Sequence, residues 1–331
     1  MTRRTFLAAA AVAGAASVAT RRTSMGVTPA SFPVSRLGRA DELGEHCAKI
    51  GAGGCQAYIR DMGPAELKQV RGRYEELGLY LEVQTGLARD DSGEFERTVI
   101  AAKEAGATSL RCTCLSGRRY ENFDTLAAWK EAVAEFKRRV ARSVPICEKH
   151  KLPLGLENHK DWTAEEYVAL MKEYESAYLG ACIDTGNNLS LLDDPYEIVE
   201  AMAPYGVNCH FKDMGVEEYE DGFLLAEVPL GEGFLDMRRI LDTMRAKNPK
   251  MNISLEMISR NPLKVPCLTD KYWATFPNRN GAFLARTWRL VKQHGRPIPT
   301  MDRMSQDEKL AFERDNIERS IVYARDKLGL V

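Results

Sequence analysis

Four short apolar runs in this chain each end in residues that can hold a cation. The first reads Leu-Pro-Leu-Gly-Leu-Glu157-Asn158-His159, and the second Leu-Gly-Ala-Cys-Ile-Asp184-Thr185-Gly186-Asn187. The third reads Gly-Val-Asn-Cys-His210-Phe211-Lys212-Asp213, and the fourth Met251-Asn-Ile-Ser-Leu-Glu256. Taken singly, each has an ordinary explanation. A strand-end Glu often serves only as a salt-bridge partner or helix cap. Asp-Thr-Gly-Asn suits a turn. A histidine in an apolar run is usually a satisfied core residue, and Lys212-Asp213 can be a local ion pair. Their joint occurrence at equivalent ends of four successive runs points instead to one site. Three carboxylates and one imidazole make an oxygen-rich donor set, expected to take Mn²⁺ first, with Mg²⁺, Co²⁺ or Zn²⁺ as alternatives to it. The ligands would be Glu157, Asp184, His210 and Glu256.

The elements that must position these residues follow from the pattern around them. Apolar runs of this length, bounded by Gly, Pro or helix signals, read as buried parallel strands. Earlier runs of the same kind are Met25–Ala30, Gly54–Ile59, Leu79–Thr85 and Thr108–Cys114. Helical patterns separate them: Asp41–Ile50, Pro64–Leu77 with Pro in its first turn, Phe95–Ala105, and a long helix capped by Asp124 and ending at His150. Further helices are expected after Thr163, which has Glu166 three residues on, and over Pro195–Ala203 and Asp236–Ala246. Eight strands alternating with helices predict a parallel (β/α)₈ barrel, an α/β TIM-barrel fold, with its active site at the C-terminal ends of the strands. Side chains two apart on a strand share a face. Inward His210 therefore brings Lys212 inward, His159 can follow Glu157, and Arg111 can set a positive charge near the site. The segments 213–234 and 257–280 read as long loops over that face. Trp273 and Phe276 in the second can stack on a bound ring, cover a neighbouring subunit's site or pack their own loop.

The chain has 331 residues, 46 Lys and Arg against 47 Asp and Glu, and 44% hydrophobic residues. This balance fits one large globular domain and excludes a bulk basic surface for nucleic acid. Thr2-Arg3-Arg4-Thr5-Phe6-Leu7 matches a twin-arginine export signal, followed by a short run of small apolar residues to Ala19. Residues 1–19 are thus expected to be a signal peptide, 20–300 the barrel and 301–331 a C-terminal helical extension. The mature protein is expected in the periplasm or outside the cell, without stable membrane insertion. The extension, an amphipathic helix over Ser305–Leu328, is expected to pack on the barrel or against a second copy in a homo-oligomer. Eight cysteines in an exported protein invite disulfides. Cys112, Cys182 and Cys209 fall inside strands, where Cys is commonly a small buried hydrophobe. A Cys47–Cys55 bond, or one from Cys267, stays open.

These motifs resemble the xylose isomerase-like TIM-barrel superfamily of sugar phosphate isomerases and epimerases. The resemblance rests on Leu-Glu157-Asn158-His159, Ile-Asp184-Thr-Gly-Asn187, His210-Phe-Lys-Asp213, Pro229-Leu-Gly231-Glu-Gly233, Leu-Glu256-Met and Tyr272-Trp273-Ala-Thr-Phe276-Pro277, and spans nearly all of the mature chain. It implies one divalent ion on the four ligands, chelating a sugar carbonyl and a neighbouring hydroxyl and stabilising an enediolate. It also implies Glu157 and Glu256 as catalytic acid and base, with Lys212 assisting. His159, Arg111, Asn187 and Trp273 are expected to contact substrate.

Ketose 3-epimerases resembling tagatose epimerase carry His three residues after the metal Asp and Arg six after the metal His. Here those positions are Asn187 and Val216. With export in addition, the expected substrate is an unphosphorylated keto-sugar, isomerised or epimerised. A 3-keto-glycoside lyase using the same site is the next reading, since the same enediolate can expel a neighbouring group. A non-catalytic sugar-binding protein is the reading of another class. Apurinic-site endonucleases of this superfamily need many histidines, and five in the whole chain argue against one.

Overall fold

The computed structural model describes residues 22–115 and 117–331. The twin-arginine motif and the apolar run after it lie outside them. The first half holds β1 (Gly26–Val27), α1 (Ala40–Ile50), β2 (Gly54–Ala57), α2 (Pro64–Leu77), β3 (Tyr80–Gln84) and α3 (Gly93–Glu104). Next come β4 (Ser109–Thr113), α4 (Arg119–Asn122), α5 (Leu126–His150), β5 (Leu154–Glu157), α6 (Ala164–Glu173) and β6 (Leu179–Asp184). The second half continues with α7 (Pro195–Met202), β7 (Gly206–Phe211), β8 (Asp213–Tyr219), β9 (Gly222–Val228), α8 (Met237–Lys247) and β10 (Asn252–Leu255). It ends with β11 (Leu263–Val265), α9 (Asp270–Trp273), α10 (Gly281–His294) and α11 (Gln306–Asp326). Eight parallel strands close in the order β1-β10-β7-β6-β5-β4-β3-β2, so the expected (β/α)₈ barrel is the observed fold.

The caps explain several boundaries. Thr163 Oγ1 accepts from the Glu166 amide while Glu166 reaches back to the Thr163 amide, a reciprocal pair that starts α6. The long helix α5 is capped by Thr125, whose hydroxyl accepts from the Ala128 amide, and not by Asp124. Asp124 instead lies outside the helix and pairs with Lys271.

Both expected long loops contain structure. Strands β8 and β9 form an antiparallel hairpin in register from Asp213↔Val228 to Tyr219↔Gly222, and β11 adds to its edge. Helix α10, capped by Asn280, packs against β8. The C-terminal helix α11 lies on the barrel. Its Glu313 accepts from the Val34 and Ser35 amides just after β1, and beyond it Leu330 accepts from Thr23 and Ser24 at the barrel's other end. Buried Ile317, Ile321 and Ala324 form its inner face. All eight cysteines are buried free thiols, so the Cys47–Cys55 bond and any bond from Cys267 are absent from this fold. Cys47 Sγ donates to Gly54 O instead, and Cys55 Sγ lies 3.0 Å from the Tyr74 hydroxyl.

Candidate metal centre

Strands β5, β6, β7 and β10 are consecutive around the barrel, which brings their C-terminal ends together. Register does the rest: Asp184 sits level with His210, and His210 level with Ser254, two residues before Glu256. Glu157, Asp184, His210 and Glu256 are buried and each offers one ligand atom, all within 4.8 Å of one another. Bonds of ~2.1 Å let one ion touch atoms up to ~4.2 Å apart, so the cluster needs to contract by only a few tenths of an ångström.

The imidazole is held in the tautomer a metal requires. Gln56 Nε2 donates to Glu82 Oε2 at 3.0 Å, which leaves Gln56 Oε1 as an acceptor, 2.7 Å from His210 Nε2. Nε2 therefore carries a proton, and Nδ1 faces Glu256 Oε1 at 3.1 Å and Glu157 Oε1 at 3.3 Å. His210 Nδ1 is buried and has no hydrogen-bond partner. Glu82 in turn accepts from Ser109 Oγ and Asn252 Nδ2. Contacts from β2 to β7, and from Asn208 on β7 to Ser109 on β4, cross the barrel, so this network fills its interior. Gly155 makes room for it, because a Cβ there would collide with the Asn208 side chain.

Lys212 faces the cluster, with Nζ 2.8 Å from Asp184 Oδ2 and in contact with Glu256. Burial disfavours its charge, but Asp184, Glu256 and Glu227 outweigh that and hold its pKa above the ordinary lysine value. Burial likewise pushes Glu256 up, yet His210 and Lys212 hold it well below the usual carboxylate range. For His210 without an ion, burial works against protonation, while Cys182 and Glu256 raise its pKa to about 9, so an ion taken at Nδ1 displaces a proton. Asp213 turns away from Lys212. Its oxygens accept from the amides of Met214, Gly231, Gly233 and Leu235, so the Pro229–Gly233 motif is a backbone cradle that folds the loop after β9 onto the end of β7.

The other expected contacts divide. Arg111 pairs with Glu157 and also donates to Gln84 Oε1. Arg111 and His159 line a cavity of about 240 Å³ over Glu256. His159 Nδ1 lies 3.0 Å from Gly117 O, and burial together with Lys160 and Arg111 pushes its pKa well below the ordinary value. Asn187 is buried; it donates to Glu157 Oε1 at 3.2 Å and accepts from Lys212 and Lys160, so it braces the cluster from within. Trp273 does not line this cavity. Its indole donates to Cys267 O and its ring meets Tyr272 edge-on. Phe276 lies under Arg119, whose guanidinium is 4.3 Å from its ring.

Residues the sequence pattern did not single out complete the site. Gln56 and Glu82 orient His210, and Glu227 on β9 binds Arg260 and approaches Lys212. Lys160 and Arg260 also line the cavity. One signal for Glu227 was present: Asp221-Gly222 is a turn-favouring pair, and the hairpin that closes beside it carries Glu227.

The donor set fits a hard divalent ion: three carboxylates, one imidazole whose Nδ1 points inward, and a second-layer partner on the other ring nitrogen. The family model described as Xylose isomerase-like TIM barrel matches residues 40–282. The chain is 30% identical over 227 residues to the 3-oxo-isoapionate decarboxylase of Pectobacterium atrosepticum, covering 66% of this chain and 78% of that one. It also resembles the crystal structure of a D-psicose 3-epimerase obtained with D-fructose, at TM-score 0.55 and 16% identity, covering 82% of this chain and 98% of that one. A zinc-containing structure of the IOLI protein aligns at TM-score 0.50 and 15% identity, covering 81% and 96%. The closed barrel, the four-ligand cluster at its mouth and a match over most of its length show that this chain belongs to the xylose isomerase-like TIM-barrel family.

Proposed function

We propose that this protein is a divalent-metal enzyme that forms an enediolate next to the carbonyl of an unphosphorylated keto-sugar, with Mn²⁺ as its ion. The observation that carries this reading is the convergence of Glu157, Asp184, His210 and Glu256, with Glu256 lining one small cavity. An ion held there supplies Lewis acidity toward a carbonyl oxygen. A carbon acid beside a carbonyl is too weak for a carboxylate base unless the charge that develops is stabilised. Glu256, beside the Lys212 ammonium, is the base. Glu157, which like Glu256 approaches His210 Nδ1, returns a proton, as isomerisation or epimerisation requires. Lys212 contributes a fixed positive charge beside Glu256. Export through the twin-arginine motif agrees with an unphosphorylated substrate.

A second reading is favoured by the 30% identical relative, whose name denotes removal of CO₂ from a 3-oxo acid. Breaking a carbon–carboxylate bond next to a carbonyl leaves the same enediolate and needs one proton returned instead of two transfers.

The test is NMR in D₂O with purified, Mn²⁺-loaded mature protein and a panel of free ketoses, 3-keto-glucosides and 3-oxo sugar acids, with Glu256→Gln as the control. The expected result is deuterium at the carbon next to the carbonyl in wild type alone. Release of CO₂ selects the decarboxylase and release of an aglycone the lyase, whereas a new sugar selects the isomerase or epimerase. Incorporation that persists in Glu256→Gln, or none with any member of the panel, removes this reading.

A further inference from the structure

We propose that the cavity over the metal cluster recognises a substrate carboxylate, and that Lys160 is the residue that pairs with it. The proposal rests on the functional reading above and names the class of substrate: a keto-sugar acid.

The charges around the cavity are the starting point. Glu157, Asp184, Glu227 and Glu256 supply the negative charge, and Arg111, Lys160, Lys212 and Arg260 the positive, while Arg118 at the cavity wall pairs with Glu121 at 2.6 Å. Arg111 pairs with Glu157, Arg260 with Glu227 at 2.8 Å, and Lys212 with Asp184 and Glu256. Lys160 is left over. It is 3% exposed, and no carboxylate among the described residues lies within ion-pairing distance of it. Its ammonium touches Asn187 Oδ1, an oxygen it shares with Lys212 Nζ at 3.3 Å.

The charges that Lys160 feels from nearby include the like charges of Lys212 and Arg260, alongside Glu227 and Asp184. A buried ammonium with no counter-charge is costly unless something else pairs with it. Here burial is the main reason its pKa falls to about 8, with Lys212 adding to the effect. A divalent ion on the cluster adds two further positive charges and no compensating carboxylate. An anionic substrate corrects both imbalances.

Placement supports the same assignment. Lys160 lines the cavity together with Arg111, Arg118, His159, Glu256 and Arg260. Its backbone is fixed: Lys160 O accepts from the Arg119 amide at 2.8 Å, and Arg118 and Lys160 form a parallel bridge. The side chain is thus delivered from a rigid loop at the end of β5 to the rim of the cluster. A neutral sugar offers hydroxyls to such a cavity but leaves Lys160 unpaired, whereas a carboxylate pairs with it.

The test is calorimetric titration of the Mn²⁺-loaded protein with D-gluconate, its neutral counterpart D-glucitol, and D-glucitol 6-phosphate. Wild type is expected to bind gluconate at least about tenfold more tightly than glucitol. Lys160→Met should abolish that preference while leaving glucitol binding and Mn²⁺ affinity unchanged, and Lys160→Arg should keep most of it. The unchanged Mn²⁺ affinity shows that the variant is folded around an intact cluster. Three results overturn the proposal. One is equal binding of gluconate and glucitol, or of neither at millimolar concentration. Another is loss of both ligands together in Lys160→Met. The third is a tenfold preference for the phosphate, which assigns the anion to a phosphate ester. Because this readout is equilibrium binding, its failure and the failure of the D₂O exchange are told apart.

Discussion

At the scale of single residues, the four members of the candidate metal cluster were legible because each lies at or beside the end of its own strand, so a pattern read one strand at a time finds them. The residues that tune them were not. Gln56 and Glu82 lie on β2 and β3, far from β7 in the chain, and only closure of the barrel brings Gln56 Oε1 to His210 Nε2. Lys160 escaped notice for another reason: it follows the end of β5, where the two-residue alternation no longer says which way a side chain points. Gln56 should matter as much as a ligand's immediate support usually does. Gln56→Met removes the acceptor that keeps the proton on Nε2 and frees Nδ1 for the ion. Mn²⁺ affinity is expected to fall ~10–100-fold, followed by electron paramagnetic resonance of free Mn²⁺, with far-UV circular dichroism unchanged. An unaltered affinity would show that His210 keeps its tautomer without help.

At the scale of elements, helices and barrel strands followed from caps and periodicity, whereas the β8–β9 hairpin, β11 and α10 were read as loop or passed over. The hairpin is joined to the barrel through Asp213, one residue after Lys212, so the same short segment places a charge in the site and ties down the element above it. Asp213→Ala leaves four backbone amides without their acceptor. Each buried orphan costs ~1–3 kcal/mol, and partial hydration of this loop should hold the total to ~3 kcal/mol or slightly more. The urea midpoint should drop accordingly, and thermolysin should cut first between 229 and 235. Cleavage elsewhere would separate Asp213 from the hairpin's anchoring. A second joint is Arg119 on α4. It is 1% exposed, pairs with Glu166 on α6, donates to Thr275 O and Asp161 O, and stacks on Trp129 and Phe276. The Tyr272–Pro277 segment thus packs down on an arginine fork and does not line the cavity. Arg119→Lys keeps the charge but not the fork, and is expected to destabilise the protein by ~2–4 kcal/mol in chemical denaturation. A loss below ~0.5 kcal/mol would mean that a point charge suffices there.

At the scale of the whole molecule, the barrel's interior departs from a packed apolar core. A hydrogen-bonded set, Gln56, Glu82, Ser109, Asn208 and Asn252, runs beneath the ligands, and one carboxylate lies in it. Composition does not reveal this, because a net charge of -1 says nothing of where the charges sit. The consequence is a dependence of stability on pH. Burial raises Glu82 from the ordinary 4.5 to about 7 despite its three hydrogen-bond donors, so the fold favours its protonated form. Between those two values the folded state binds more protons than the unfolded one. The contribution from Glu82 is therefore complete below about pH 4.5 and lost as pH rises through about 7. Burial raises Asp161 to about 7 and Asp213 to about 6, which adds to the trend, while His46 and His159, pushed down by burial, oppose it. Glu82→Gln isolates one contribution. In metal-free protein the variant should gain ~1–3 kcal/mol on wild type between pH 5 and pH 8, read from urea midpoints. Bound Mn²⁺ should move that change to lower pH, since a nearby divalent charge favours the carboxylate. Parallel curves for the two proteins would mean that Glu82 stays ionised throughout, and that the interior network alone holds its charge.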